Sequence, residues 1–454
     1  MRRKLLIGLA ALVLALLGAA LAYYRYETRD REVRGSSTEE FVATDNPADT
    51  QTTAPPPSTT EPEPAPGKPR RDLSEPWPTY GLDLQRTHVA AYKHRPPFKR
   101  IWTLRARHYL EFPPVVAYGM VFVPQQRGRF FVVDADTGKR RWSKSFRRCA
   151  AASPTVWKGV VYQPLMHRLP CAKHERGANG LLIAMNARTG RELWSFRAGV
   201  IESSPLQVNG VLYFGSWDRF VYALDARTRK LRWRFRTDDR VVAAPAYAHG
   251  TIYATTNGGS VYALDARTGR MRWRNRSFER FGRREYFYAT PAVAYGRVFA
   301  ANTDGYVYAY GATTGRLIWA QRAGTYVYSA PAVWRKRVYV GTWDGYLVAF
   351  DAATGDTRWR HDSPGAISGA PVVMDGLVYF STLGRMNPGD HKRRVESGRN
   401  ETLAVDARTG RRVWRHGDGA YSPIVADRER VYLVGATRLY GLERRPRTTA
   451  QRSG

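Results

Sequence analysis

Val261 to Trp273 reads VYALDARTGRMRW: an alternating strand, a D-A-x-T-G turn, and a second strand that ends on Trp. The turn suits a tight hairpin, because Gly269 can take the left-handed conformation and Asp265 can bond its own turn. Copies recur along the chain. FFVVDADTGKRRW ends at Trp142, LIAMNARTGRELW at Trp194, VYALDARTRKLRW at Trp233, VYAYGATTGRLIW at Trp319, LVAFDAATGDTRW at Trp359 and TLAVDARTGRRVW at Trp414. An eighth Trp, Trp102, sits in KRIWTLR with no such turn before it.

A second mark lies upstream of each turn. Pro114, Pro154, Pro205, Pro245, Pro291, Pro331, Pro371 and Pro423 stand mostly 40 residues apart and open runs such as APAYAHGTIYA. Each unit then reads as four strands: A from the Pro, B as a G-x-[VI]-[YF] run, C as the VYAL run, and D carrying the Trp. Pairs such as Asp304-Gly305, Asp344-Gly345 and Gly258-Gly259 suit the B–C hairpins. Four strands at this period predict an all-β, eight-bladed β-propeller of four-stranded antiparallel blades, since helical periodicity is missing. The last unit runs to about Leu442 without a Trp strand, and Trp102 supplies one. The N-terminal strand is therefore expected in the last blade, which leaves few free edges.

Outward from the ring the chain changes character. Leu5 to Ala22 is an uncharged apolar run after Arg2, Arg3 and Lys4, and Tyr23 and Tyr24 follow it. Residues 1–24 read as one transmembrane helix with the propeller on the extracytoplasmic side. The alternative is a signal segment cleaved near Ala20-Leu21-Ala22, giving a secreted protein. Residues 25–75, rich in Pro, Thr and Ser, read as a disordered tether, 76–443 as the propeller, and 444–454 as a basic disordered tail.

Composition narrows the chemistry. The chain has 454 residues, 2 Cys and a net charge of +33, yet its first 96 residues hold 13 Lys/Arg and 12 Asp/Glu. The excess charge belongs to the ring and favours an anionic partner. Two cysteines exclude a Cys-rich metal module. The nine His show no H-E-x-x-H spacing, and no P-loop or G-x-S-x-G elbow stands in context.

With its A-x-D-A-x-T-G-x-x-x-W repeat and the lead-in from Trp77 to His88, the chain resembles the pyrroloquinoline-quinone (PQQ)-type β-propeller repeat family. That superfamily includes quinoprotein dehydrogenases, the lipoprotein subunit of outer-membrane β-barrel assembly, and sensor ectodomains. The resemblance raises a PQQ-dependent oxidoreductase, with calcium, as an alternative function and a barrel-assembly subunit as another. For the enzyme it implies carboxylates in the central funnel, where calcium wants six to eight oxygens. The acids at the funnel-side strand starts are Glu111, Glu202, Asp238, Asp239 and Glu285, with Arg107, Arg240, Arg283 and Arg284 near them. There is no haem-attachment CxxCH. No cofactor, metal or catalytic residue is expected. The turn departures Asn186, Arg229 and Gly311 read as drift in exposed hairpins.

Strand direction sorts loops onto two faces. D–A and B–C loops share the top and T–G turns share the bottom. The long insertions, Gln163 to Gly180, Ser381 to Asn400 and the run before Pro291, are all on top, where function is usually grafted. Partner-binding candidates there are Tyr109, Arg147, Arg148, Arg240, Arg283, Arg284, Tyr286, Tyr326, Tyr328 and Tyr421. Cys149 and Cys171 fall on the same face of the same blade, and an exported body favours their disulfide. On the bottom, Arg188, Arg267, Arg270 and Arg411 are candidates for an anionic membrane surface, because the tether enters strand D from below. The expectation is a monomeric, membrane-tethered, non-catalytic module that binds an envelope protein or anionic wall polymer, and not nucleic acid.

Overall fold

Alternation of buried and exposed positions sets each repeat as a sheet. Blade 4 shows the plan: strands Ala246–Ala248, Thr251–Thr255, Ser260–Asp265 and Met271–Arg276 pair in chain order, antiparallel throughout. The computed structural model describes residues 2–50, 75–171, 177–384 and 399–445, with side chains of the first helix from Leu12 onward. The other inner strands are Val115–Ala117, Thr155–Trp157, Leu206–Val208, Ala292–Ala294, Ala332–Trp334, Val372–Met374 and Ile424–Ala426. Together they make eight blades. Phe98–Arg105 closes the eighth, pairing antiparallel with Arg438–Arg444.

The repeated Trp residues join blade to blade. Trp233 Nε1 donates to the Ala266 carbonyl of the next blade at 3.0 Å, and Trp102, Trp142, Trp273, Trp319 and Trp359 make the same bond. The turn Gly is required twice over. Gly269 has φ +74°, and a Cβ there would lie 2.6 Å from the Trp233 ring. Only a bare α-carbon admits the neighbouring blade so closely.

The lead-in segment fills the central channel. Trp77 is bridged to Val116 in blade 1, and the carbonyls of Pro78, Leu84, Gln85, Thr87 and His88 accept from inner-strand N–H groups of blades 2, 4, 5, 6 and 7. Val89–Ala90 then lies parallel to Val372–Met374. At its centre Arg86 is fully buried. It donates to Pro245 O at 3.0 Å, Pro205 O at 3.2 Å, Thr79 Oγ1 at 3.0 Å and the Tyr80 carbonyl. The segment enters from the bottom, near Glu75, which accepts from Lys158 N. It plugs the ring at its axis.

The first part of the expected tether is bound to the ring. Residues 51–74 and the tail from 446 lie outside the described residues. Residues 29–50 instead form a strap from top to bottom across blades 5 and 6. Val33 bridges Ala320, Gly35 N donates to Thr354 O, and Val42 N to Tyr295 O. Phe41 stacks on Tyr295 at 5.3 Å, and Asn46 and Ala48 are buried beneath the ring. Trp319 is 0% exposed because the strap covers it. Buried Arg297 ties both sides, donating to Ser36 O and Glu39 O as well as Ala352 O. A few isolated apolar residues, each with its own pocket, make no periodic signal to read.

Helix α1 spans Arg2–Thr28, past the expected boundary at residue 24. Among the described residues, no helix is long and apolar enough to cross a membrane, so the expected transmembrane span is not found; part of its apolar run lies in residues whose side chains are not described. The end of α1 also stands at the rim opposite to the one expected. Tyr23 and Tyr24 pack on Phe281 in the top-face hairpin, because the strap carries the chain up the outside of the ring.

Gly311, which read as drift, has a partner. In most turns the Asp carboxylate accepts from the turn Thr, as Asp265 does from Thr268 Oγ1 at 2.8 Å. In blade 5 the Glu40 carboxylate of the strap accepts from Thr314 Oγ1 instead. A Cβ on Gly311 would lie 2.2 Å from Glu40 Oε2. Gly311→Asp is therefore expected to restore a self-sufficient turn and expel the strap. Hydrogen exchange should rise by about tenfold or more over residues 33–46 while the blade strands keep their protection. Unchanged exchange in the strap would show that Glu40 does not key it.

Candidate functional site

Eight inner strands start at their Pro marks around the axis, so the residues just before them converge on the top face. Tyr80, at the tip of the plug, floors a funnel of about 230 Å³. Glu111, Glu202, Tyr288, Tyr328, Trp343 and Tyr421 line it, each from a D–A or B–C loop of a different blade or of its neighbour. Among the described residues, no Lys or Arg lines it. A side lobe of about 310 Å³ opens from it past Glu111, Glu202 and Tyr288, under Cys149, Cys171 and Trp217. Cys149 and Cys171 are disulfide-bonded, with Cα atoms 5.6 Å apart.

Two carboxyls dominate the chemistry. Glu202 is buried and accepts from Tyr288 Oη at 2.5 Å and Trp217 Nε1 at 2.9 Å. Burial raises its pKa above the ordinary carboxylate range, against these hydrogen bonds and the nearby Arg240. Burial, then the Glu202 charge, pushes Glu111 up to about 7. Such a pair is costly when ionised and becomes favourable opposite a cation. Around it Tyr288 meets Tyr328 edge-on at 5.4 Å, and Tyr328 lies tilted against Trp343 at 5.1 Å.

The expected top-face residues divide. Tyr328 and Tyr421 reach the funnel, while Tyr109 and Tyr286 stand exposed on the rim. Arg147 and Arg283 are also exposed there, and exposed Arg240 lies over the Trp217 ring at 4.7 Å. Half-buried Tyr326 takes the Trp343 N–H on its carbonyl. Two arginines are structural: buried Arg148 donates to Met166 O and Asn179 O, and Arg284 pairs with Glu279 at 2.7 Å. Of the other acids, Asp238 is bound to Ser260, Thr256 and Arg274; these bonds outweigh its burial and lower its pKa. Arg188, Arg267, Arg270 and Arg411 are all exposed on the T–G turns. Trp217 and Trp343 were missed. Their signal was the W-D pair in B–C hairpins where the other blades carry no Trp.

The family model described as "Outer membrane protein assembly factor BamB" matches residues 88–199, 178–280, 280–386 and 303–446. A quinohemoprotein alcohol dehydrogenase of Comamonas testosteroni is 35% identical over 191 residues, which are 35% of this chain and 25% of that protein. Alcohol dehydrogenase ADH-IIG of Pseudomonas putida is 38% identical over 152 residues, 28% of this chain and 20% of that one. The chain thus spans a quarter or less of these curated relatives. Among solved structures, the Comamonas testosteroni dehydrogenase superposes with TM-score 0.64 at 16% identity, covering 83% of this chain and 82% of that one. BamB from Moraxella catarrhalis gives 0.59 at 17% identity, covering 76% and 99%. These likenesses carry the fold, and the matched repeats carry the family. The chain belongs to the PQQ-type β-propeller repeat family.

Proposed function

We propose that this chain is a non-catalytic binding module of the cell envelope, and that its funnel takes a cationic side chain projecting from an envelope protein. The observation that carries this is the pairing of Glu111 and Glu202 within aromatic walls. Carboxylates supply the counter-charge, and the faces of Tyr and Trp favour a Lys or Arg head group that leaves water. The plug closes the far end, so the funnel is a socket and not a passage. The barrel-assembly description of the family is compatible with a module that holds protein partners. An anionic wall polymer is a second reading, favoured by a hollow of about 240 Å³ lined by Arg148, Arg168, Arg197 and His167 beside the disulfide loop.

The names of the dehydrogenase relatives raise PQQ, a tricarboxylate quinone. The described residues do not fit it. Its carboxylates would face Glu111 and Glu202, and among the described residues no Lys or Arg lines the funnel to receive them. Among the described residues, no three His, Cys, Asp or Glu gather where they could hold calcium. No step is derived through that cofactor.

A photo-crosslinking residue at Trp343, in the full chain within native envelopes, tests the reading. The expected result is a discrete protein adduct that Glu202→Gln weakens by about tenfold or more, the loss of one buried charge partner. Adducts to polymer alone, or a protein adduct indifferent to Glu202→Gln, would contradict it.

A further inference from the structure

The top rim of blade 4 carries a feature that no other blade repeats among the described residues. Glu279–Arg280 and Arg283–Arg284 form a two-stranded hairpin in the D–A connection, standing apart from the eight blade sheets. Its tip residue, Phe281, has φ +49° and is 46% exposed. A bulky residue held in the left-handed region is fixed by its surroundings. Here the Glu27 carboxylate accepts from Phe281 N at 3.0 Å, and Arg31 donates to Glu279 O at 2.7 Å. The hairpin is thus bolted to the end of α1, with Tyr23 and Tyr24 packed on Phe281 at 6.0 Å each.

What covers this rim follows from the helix above it. Leu12, Val13, Leu14, Leu16 and Leu17 are all exposed, and successive residues of a helix look to different sides. A groove on a partner covers one stripe; a helix apolar on every side calls for a large protein core or for hydrocarbon around it, and the layers below it decide for hydrocarbon. Below them come exposed tyrosines, and then Arg25, Arg29 and Arg283. Apolar, aromatic and basic layers in that order match hydrocarbon, interface and anionic headgroups.

We propose that the end of α1 and the Phe281 hairpin together bed in the headgroup layer of an anionic bilayer. This turns the funnel toward the membrane side and the T–G turn ring away from it, the reverse of the orientation expected from sequence. It stands whatever the funnel binds, and it needs no helix to cross.

The test uses the full chain in vesicles of phosphatidylcholine with about 30% phosphatidylglycerol, doped with a headgroup-nitroxide lipid. An environment-sensitive fluorophore is placed at Phe281→Cys or Arg411→Cys, the native cysteines being paired. Both positions lie outside the blade cores, and circular dichroism of each labelled variant confirms that the ring is folded. The label at 281 is expected to be quenched about twofold or more and that at 411 left unquenched. Adding Arg283→Gln, or raising salt to about 0.5 M, should reduce the quenching at 281. No quenching at 281, or equal quenching at 411, would overturn the proposal.

Discussion

Arg86→Met is expected to remove about 3–5 kcal/mol of folding stability, as breaking one side of a buried charge pair does. Arg86 is fully buried at the axis and still cationic, though burial lowers its pKa to about 10. Its guanidinium satisfies carbonyls from the plug and from two blades at once. Asp83, half-buried near it and bonded by Thr87, would lose the favourable field of the Arg86 charge. Adding Asp83→Asn should therefore recover part of the loss, because removing both charges costs less than removing one. Chemical denaturation at neutral pH, followed by tryptophan fluorescence, checks both variants. A loss below about 1 kcal/mol for Arg86→Met would mean that the plug is an ornament on an already stable ring.

Glu111→Gln should act in the opposite direction and only at higher pH. The unfolded carboxyl titrates near 4.5, and the folded one at about 7, because burial and then the Glu202 charge disfavour ionisation. The folded state therefore holds the proton over that window, and the parent loses stability as pH rises from about 4.5 to 7. Below the window the variant gains nothing; above it the gain levels off at about 3 kcal/mol or less. Unfolding free energies of parent and variant at pH 4, 6 and 8 decide it, and parallel curves would contradict the raised pKa. A socket that is unstable when empty and ionised is what a cationic occupant would stabilise.

The ring was legible because its period is written in strong, local signals. D-A-x-T-G and Trp recur in register, and the same Trp and Gly meet across each blade junction. Closure by Phe98–Arg105 was legible for the same reason: Trp102 is a Trp strand without a turn. The strap and plug were not, since their contacts are made singly. Glu40 matters only because Gly311 lacks a side chain, and 271 residues separate them. Arg86 looks like any surface arginine until eight strands surround it.

The site was half legible. Tyr328 and Tyr421 read as aromatics beside Pro marks, whereas Glu111 and Glu202 read only as sparse acids at the funnel-side strand starts and not as binding candidates. Which arginines stay free was hidden, because Arg148 and Arg284 are used by backbone and carboxylate partners within their own loops. The placement of α1 at the top rim follows from the strap, so one unread segment accounts for the misplaced helix.

The central claim is that the funnel receives a cation, and carboxyl titration reads it directly. Glutamate-labelled chain would be followed by carbon NMR across pH 4 to 9, alone and with acetyl-arginine amide as the probe. The Glu111 midpoint, about 7 when free, is expected to fall by about one unit or more with the probe, since a nearby positive charge favours the ionised form. Glu202→Gln should blunt that fall. A midpoint that ignores the arginine probe but moves with inorganic polyphosphate would contradict the account.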